Sequence, residues 1–200
     1  MGNVSKCAVL IDGGFFYQKY EVLHRKKPGA REVQGFVQKV MTDIRKTSDP
    51  AVTDVLLRSY YYDCMPYGKP ERDPYGKIWN FAAKAVFKEK QKFLKDLACE
   101  SQMDLRLGEL SFDGWKITET HPRVQYRPDF KQKSVDMKIG LDIAWMAGKG
   151  CVNKIALVAA DSDFVAPIKH ARREGITVHL FTMGHKYTKK LLRDHSDFVW

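Results

Sequence analysis

Cysteine is scarce in this 200-residue chain and never clustered: Cys7, Cys64, Cys99 and Cys151 lie far apart, with no CxxC pair and no Cys/His grouping. Such spacing indicates neither a zinc site nor a disulfide framework and reads as four reduced thiols. No apolar run approaches the ~18 residues of a membrane span, and none long enough for a signal peptide precedes Asp12, so a cytoplasmic protein without a membrane partner is expected. No GxGxxG follows the first apolar segment, which removes the phosphate-binding turn of a dinucleotide enzyme. Spacing yields no Ser/His/Asp or Cys/His arrangement for nucleophilic catalysis. Internal repeats and low-complexity linkers are missing too, and the length suits one domain spanning 1–200.

Acid is the minority charge. Thirty-four Lys and Arg against 24 Asp and Glu leave a net charge of +10, which favours a polyanionic partner, nucleic acid before an anionic membrane surface. A hydrophobic fraction of 44% is enough for a packed core and excludes a disordered class.

Cys7 to Ile11 is a continuous apolar run stopped by Asp12 and Gly13-Gly14, the pattern of a buried parallel strand ending in a tight turn. Helices are expected over 15–25, 33–46 and 78–99, strands over 52–63 and 103–112, and a turn-prone loop around 64–78. Residues 113–133 show no sustained period and read as a basic, aromatic loop. Ser134 is placed to cap a helix reaching 148. A second buried strand, 155–160, is halted by Asp161 and Asp163; a helix (164–174), a strand (176–183), a helix (186–193) and an edge strand (198–200) follow. Such alternation implies a parallel sheet covered on both faces, in which ligands bind beyond the carboxyl ends of the strands.

Three separated segments deliver carboxylates toward that edge: Asp12, Asp136 in the first turn of a helix, and the Asp161/Asp163 pair. Singly, each serves as well as an N-cap or a helix-dipole partner. Together, in a cationic chain, they suit a hard divalent ion, since Mg²⁺ takes one or two carboxylates and leaves its other positions to water and phosphate oxygens. Asp142 follows Asp136 by six residues, which at ~100° per residue points it about 120° away. It is therefore a second-tier candidate, with Lys138 or Lys149 as conceivable partners.

Ile11-Asp12-Gly13-Gly14, Lys133-Ser134-Val135-Asp136 with Leu141-Asp142, and Ala160-Asp161-Ser162-Asp163-Phe164 with Pro167 resemble, in order, the three signature blocks of NYN domains. The chain looks like a member of the LabA/DUF88 branch over about residues 6–183. The resemblance implies a PIN-like α/β/α sandwich with a mainly parallel central sheet. It also implies a Mg²⁺- or Mn²⁺-dependent endoribonuclease site in which Asp12, Asp136, Asp161 and Asp163 are the catalytic, metal-binding acids. Many members carry Asn three residues after the first Asp; Phe15 stands there in this chain and removes one polar contact to metal-bound water or substrate.

Cations and rings are mixed over 60–79 and 115–133, where Lys69, Arg72, Arg123, Arg127, Lys131 and Lys133 are candidates for RNA phosphates. Exposed rings beside them would stack on unpaired bases at ~1–3 kcal/mol each, which favours single-stranded RNA. The sequence allows a homo-oligomer. An RNA-binding or regulatory module without useful turnover is the alternative, kept by Phe15. A haloacid-dehalogenase-type phosphatase is disfavoured, because Asp12-Gly13-Gly14 lacks the second Asp two residues on.

Overall fold

β1 (Asn3–Asp12) presents five consecutive apolar residues because both of its faces are covered. Cys7, Val9 and Ile11 face α1 (Gly13–His24), α2 (Ala30–Arg45) and α3 (Ala85–Ala98), while Ala8 and Leu10 face α4 (Val135–Lys149), α5 (Val165–Arg173) and α6 (Lys190–Asp194). The computed structural model describes residues 3–119, 124–185 and 190–200. The helices bury stripes at three- and four-residue spacing, Val33, Val37, Val40, Met41 and Ile44 on α2 and Val135, Ile139, Ile143 and Met146 on α4.

Between the helical layers lies a seven-stranded sheet. Its remaining strands are β2 (Val52–Cys64), β5 (Met103–Glu119), β6 (Gln125–Lys133), β7 (Lys154–Val158), β8 (Thr177–Phe181) and β9 (Phe198–Val199), in the order β6-β5-β2-β1-β7-β8-β9. Every neighbouring pair is parallel except β5 and β6. This is the expected three-layer α/β/α sandwich. From β1 the chain winds one way through β2 and β5, then returns to lay β7 on the other side of β1. The direction of winding thus reverses between β1 and β7, the crevice where open α/β sheets bind ligands.

The expected loop over 113–133 is instead a hairpin: β5 leaves the sheet after residue 108 and pairs antiparallel with β6 from Glu109 to Glu119. The 64–78 segment holds one strand of a small ribbon, β3 (Pro70–Arg72) with β4 (Ile78–Asn80). The helix expected over 78–99 therefore starts only at Ala85. Tyr67, Phe81, Phe112 and Phe130 close the space between ribbon and hairpin with ring centroids 5.2–6.4 Å apart. These rings form a small core of their own and are not free stacking platforms. Ser134 caps nothing with its side chain; it takes a left-handed conformation, φ 68°, at the entry to α4. Arg123 and residues 186–189 lie outside the described residues. Among the described residues no helix is long and apolar enough to cross a membrane.

At the opposite, amino-terminal end of the strands, buried Asp54 is held by Lys154 at 2.8 Å and by Ser48. Nearby His179 is fully buried and stacks on Phe198 with centroids 4.7 Å apart, yet neither ring nitrogen has a hydrogen-bond partner among the described residues.

Gly13 shows how tightly the carboxyl edge is built. A Cβ there would lie 2.6 Å from Tyr61 Cε1 and 2.6 Å from the Tyr62 carbonyl oxygen. Gly13→Ala is therefore expected to destabilise the fold by about 1–3 kcal/mol, the usual cost of overpacking. Urea unfolding checks this, and an unchanged midpoint would contradict the close approach.

Candidate functional site

Asp12 ends β1 because a carboxylate there caps the next helix: its Oδ1 accepts from Phe15 N at 3.1 Å. Asp161, beyond β7, does the same on a smaller scale, its Oδ1 accepting from Asp163 N at 3.1 Å in a short 3₁₀ turn (Ser162–Phe164). The capping role and a site role coexist, since a carboxylate offers about four lone-pair positions. β1 and β7 pair in register from Cys7 and Lys154 to Ile11 and Val158, so both acidic ends emerge at one edge. Gly108 lets the connection into α4 pass close by, for a Cβ on it would meet the Lys133 carbonyl oxygen at 2.5 Å. That connection sets Asp136 in the first turn of α4.

Electrostatics ties the acids together. The carboxyl of Asp12 is pushed up to about 6, first by burial and then by the charges of Asp136 and Asp63. Asp136 is raised as well, by burial and by Asp161 and Asp163. Asp136 is thus the link between the two strand ends. None of Asp12, Asp136, Asp161 and Asp163 forms an ion pair among the described residues, although cations are in excess. Carboxyls that raise one another in this way, in a chain with cations to spare, suit a cation site. Among the described residues no three His, Cys, Asp or Glu side chains are gathered into a cage of their own. The donor set consists of hard oxygens only, which fits Mg²⁺ or Mn²⁺ bound through one or two carboxylates with water and substrate oxygens completing the shell.

Asp142 stands apart from this group. Its Oδ2 accepts from Tyr62 Oη at 2.8 Å and pairs with Arg106 Nε at 3.2 Å, so its partners are neither Lys138 nor Lys149. Asp63, at the end of β2, was not singled out by sequence and lies one residue past the Asp12–Tyr62 register pair. It is buried and ion-paired with Lys90, and its charge acts on Asp12. The signal was available, because Asp63 ends an apolar strand just as Asp12 does.

Phe15 gives the site only its backbone N–H; its ring meets the His185 ring edge-on at 5.8 Å and packs against the core. Gln132, from β6, reaches the same edge: its side-chain oxygen lies 3.5 Å from where a Cβ on Gly14 would be, as does Asp12 Oδ1. Lys69, Arg72, Arg127, Lys131 and Lys133 are all exposed on or beside the ribbon and hairpin. Lys131 is paired with Asp113, and Arg72 Nη1 donates to the Gly76 carbonyl at 3.0 Å, while the side chains of Lys69, Arg127 and Lys133 form no ion pair among the described residues.

No curated protein matches the chain significantly. Its fold is similar to that of VPA0982, a protein of unknown function from Vibrio parahaemolyticus, with a TM-score of 0.52 at 14% identity over 98% of this chain and 91% of that one. The family model of the NYN domain matches residues 6–200. By that match, over a sheet whose winding reverses between β1 and β7, the chain belongs to the NYN domain family, a PIN-like nuclease-type domain.

Proposed function

We propose that this protein is a metal-dependent endoribonuclease that hydrolyses single-stranded RNA at the Asp12, Asp136, Asp161 and Asp163 edge. The observation that supports the reading is that β1 and β7 bring Asp12 and Asp161 out at one edge of the sheet, that Asp136 acts on Asp12 while Asp161 and Asp163 act on Asp136, and that none of the four forms an ion pair among the described residues. A bound Mg²⁺ or Mn²⁺ supplies charge neutralisation at the phosphate and activation of water. Asp12, Asp136, Asp161 and Asp163 would hold that ion, Asp12 and Asp161 being oriented by their capping bonds. Lys69, Arg127 and Lys133 bind flanking phosphates, and this electrostatic attraction makes affinity fall steeply with salt.

Purified protein with Mg²⁺ or Mn²⁺ is expected to cut unstructured RNA internally, with excess chelator stopping the reaction. Phe15 favours one other reading, an RNA-binding module without turnover. Salt-sensitive RNA binding with no metal-dependent cleavage would establish that reading in place of the nuclease.

A further inference from the structure

A cleft of about 540 Å³ opens between α1, α3 and the root of the β5–β6 hairpin. Its floor is apolar, built by Phe93 of α3, Pro66 and Leu110, with Tyr17 alongside and the exposed Val86 of α3 at its rim. Three cations enter its wall, but each is matched: Lys27 with Glu89 at 3.3 Å, Lys92 with Asp96 at 3.1 Å, and Lys90 with Asp63. A phosphate would find no uncompensated charge there, whereas a flat, neutral heterocycle would find an apolar slot with a polar rim.

The cleft also runs into the acidic edge. Asp63 lines it and acts electrostatically on Asp12, and Gln132 lines it while lying beside Gly14 and Asp12. The Gln132 carboxamide has no hydrogen-bond partner among the described residues and offers both a donor and an acceptor at the mouth of the slot. We propose that this cleft is a nucleobase subsite, taking one base of an RNA strand whose neighbouring phosphate lies at the acids, with Gln132 hydrogen-bonding the base edge. The proposal rests on the nuclease reading for its substrate, but not for its test.

That test uses Val86→Trp, which fills the slot from a position 69% exposed, and Gln132→Ala, which removes the polar contact. Each is made also in an Asp12→Asn background and titrated with adenosine under chelator, so that base binding is read without cleavage and without a phosphate set against unneutralised acids. Val86→Trp is expected to weaken binding about tenfold, the loss of one stacked base, and Gln132→Ala by a smaller factor. In the active protein Val86→Trp is expected to raise KM for a short oligoadenylate about as much, with a smaller effect on kcat. Adenosine binding that Val86→Trp weakens about tenfold, in a protein that cuts no RNA, would sink the nuclease reading and leave the subsite standing. Absent adenosine binding, or binding untouched by both substitutions, overturns the subsite whether or not RNA is cut; in the second case the cleft serves another occupant, such as an apolar peptide.

Discussion

Asp161→Asn is expected to lower RNA cleavage at least about a thousandfold while the protein stays folded. The loss follows from the several kcal/mol that a bound metal contributes to a phosphoryl transition state, at 1.36 kcal/mol for each factor of ten. The fold survives because the exposed Asp161 makes no ion pair among the described residues and caps its turn through one oxygen, which the amide of asparagine also provides. A second readout needs no turnover. On the proposed reading, Mg²⁺ at a hundredfold excess over its Kd should stabilise the wild type by about 2.7 kcal/mol, and the variant should lose most of that shift. Asp142→Asn is the contrast: with Tyr62 and Arg106 as partners, it should cost about 1–3 kcal/mol of stability and spare cleavage. The reverse pattern, with Asp142→Asn inactive and Asp161→Asn active, would overturn the assignment.

The second large effect is a pair of opposed pH dependences in the metal-free protein. Burial, with Lys154 nearby, holds His179 down at about 4, below its ordinary 6.5. The unfolded chain takes up this proton first, so the stability that neutral His179 contributes is present above 6.5 and lost as pH falls through 4. Asp12 runs the other way. Its folded carboxyl titrates at about 6 against 3.8, so its contribution is present below 3.8 and lost as pH rises through 6. In the wild type the two slopes partly cancel. His179→Phe should expose the Asp12 slope, with its stability relative to wild type growing by up to about 3 kcal/mol between pH 6.5 and 4. Asp12→Asn should gain about 1–2 kcal/mol at pH 7 and lose that advantage on acidification. Urea unfolding across this range under chelator measures both, and parallel profiles for wild type and His179→Phe would refute the assignment to His179.

The sandwich was legible in the sequence because its central strands are buried on both faces. Such strands must be continuous apolar runs, and a carboxylate that ends one marks the edge where it surfaces. β1 with Asp12 and β7 with the acids beyond it follow that rule. The hairpin arm was not legible. β5 beyond residue 108 and β6 rest on the sheet only at their root, so their side chains alternate little and their aromatic residues pack on one another rather than on a helix. Its neighbour was misread for a related reason, because Ile78 and Trp79 belong to the ribbon, and Asn80 then caps a short turn by accepting from Ala83 N. Ser134 fits the composition of a cap, but the close passage over Gly108 coincides with a backbone twist that sequence alone does not report.

The pairing of β1 with β7 also bears on when activity can arise. Asp12 is made early and Asp161 about 150 residues later, and nothing short of laying β7 against β1 brings them together. A nascent or truncated chain lacking β7 would already carry the β5–β6 hairpin, yet have no assembled set of acids at the sheet edge. On the proposed reading, cutting would thus become possible only when the last quarter of the chain docks.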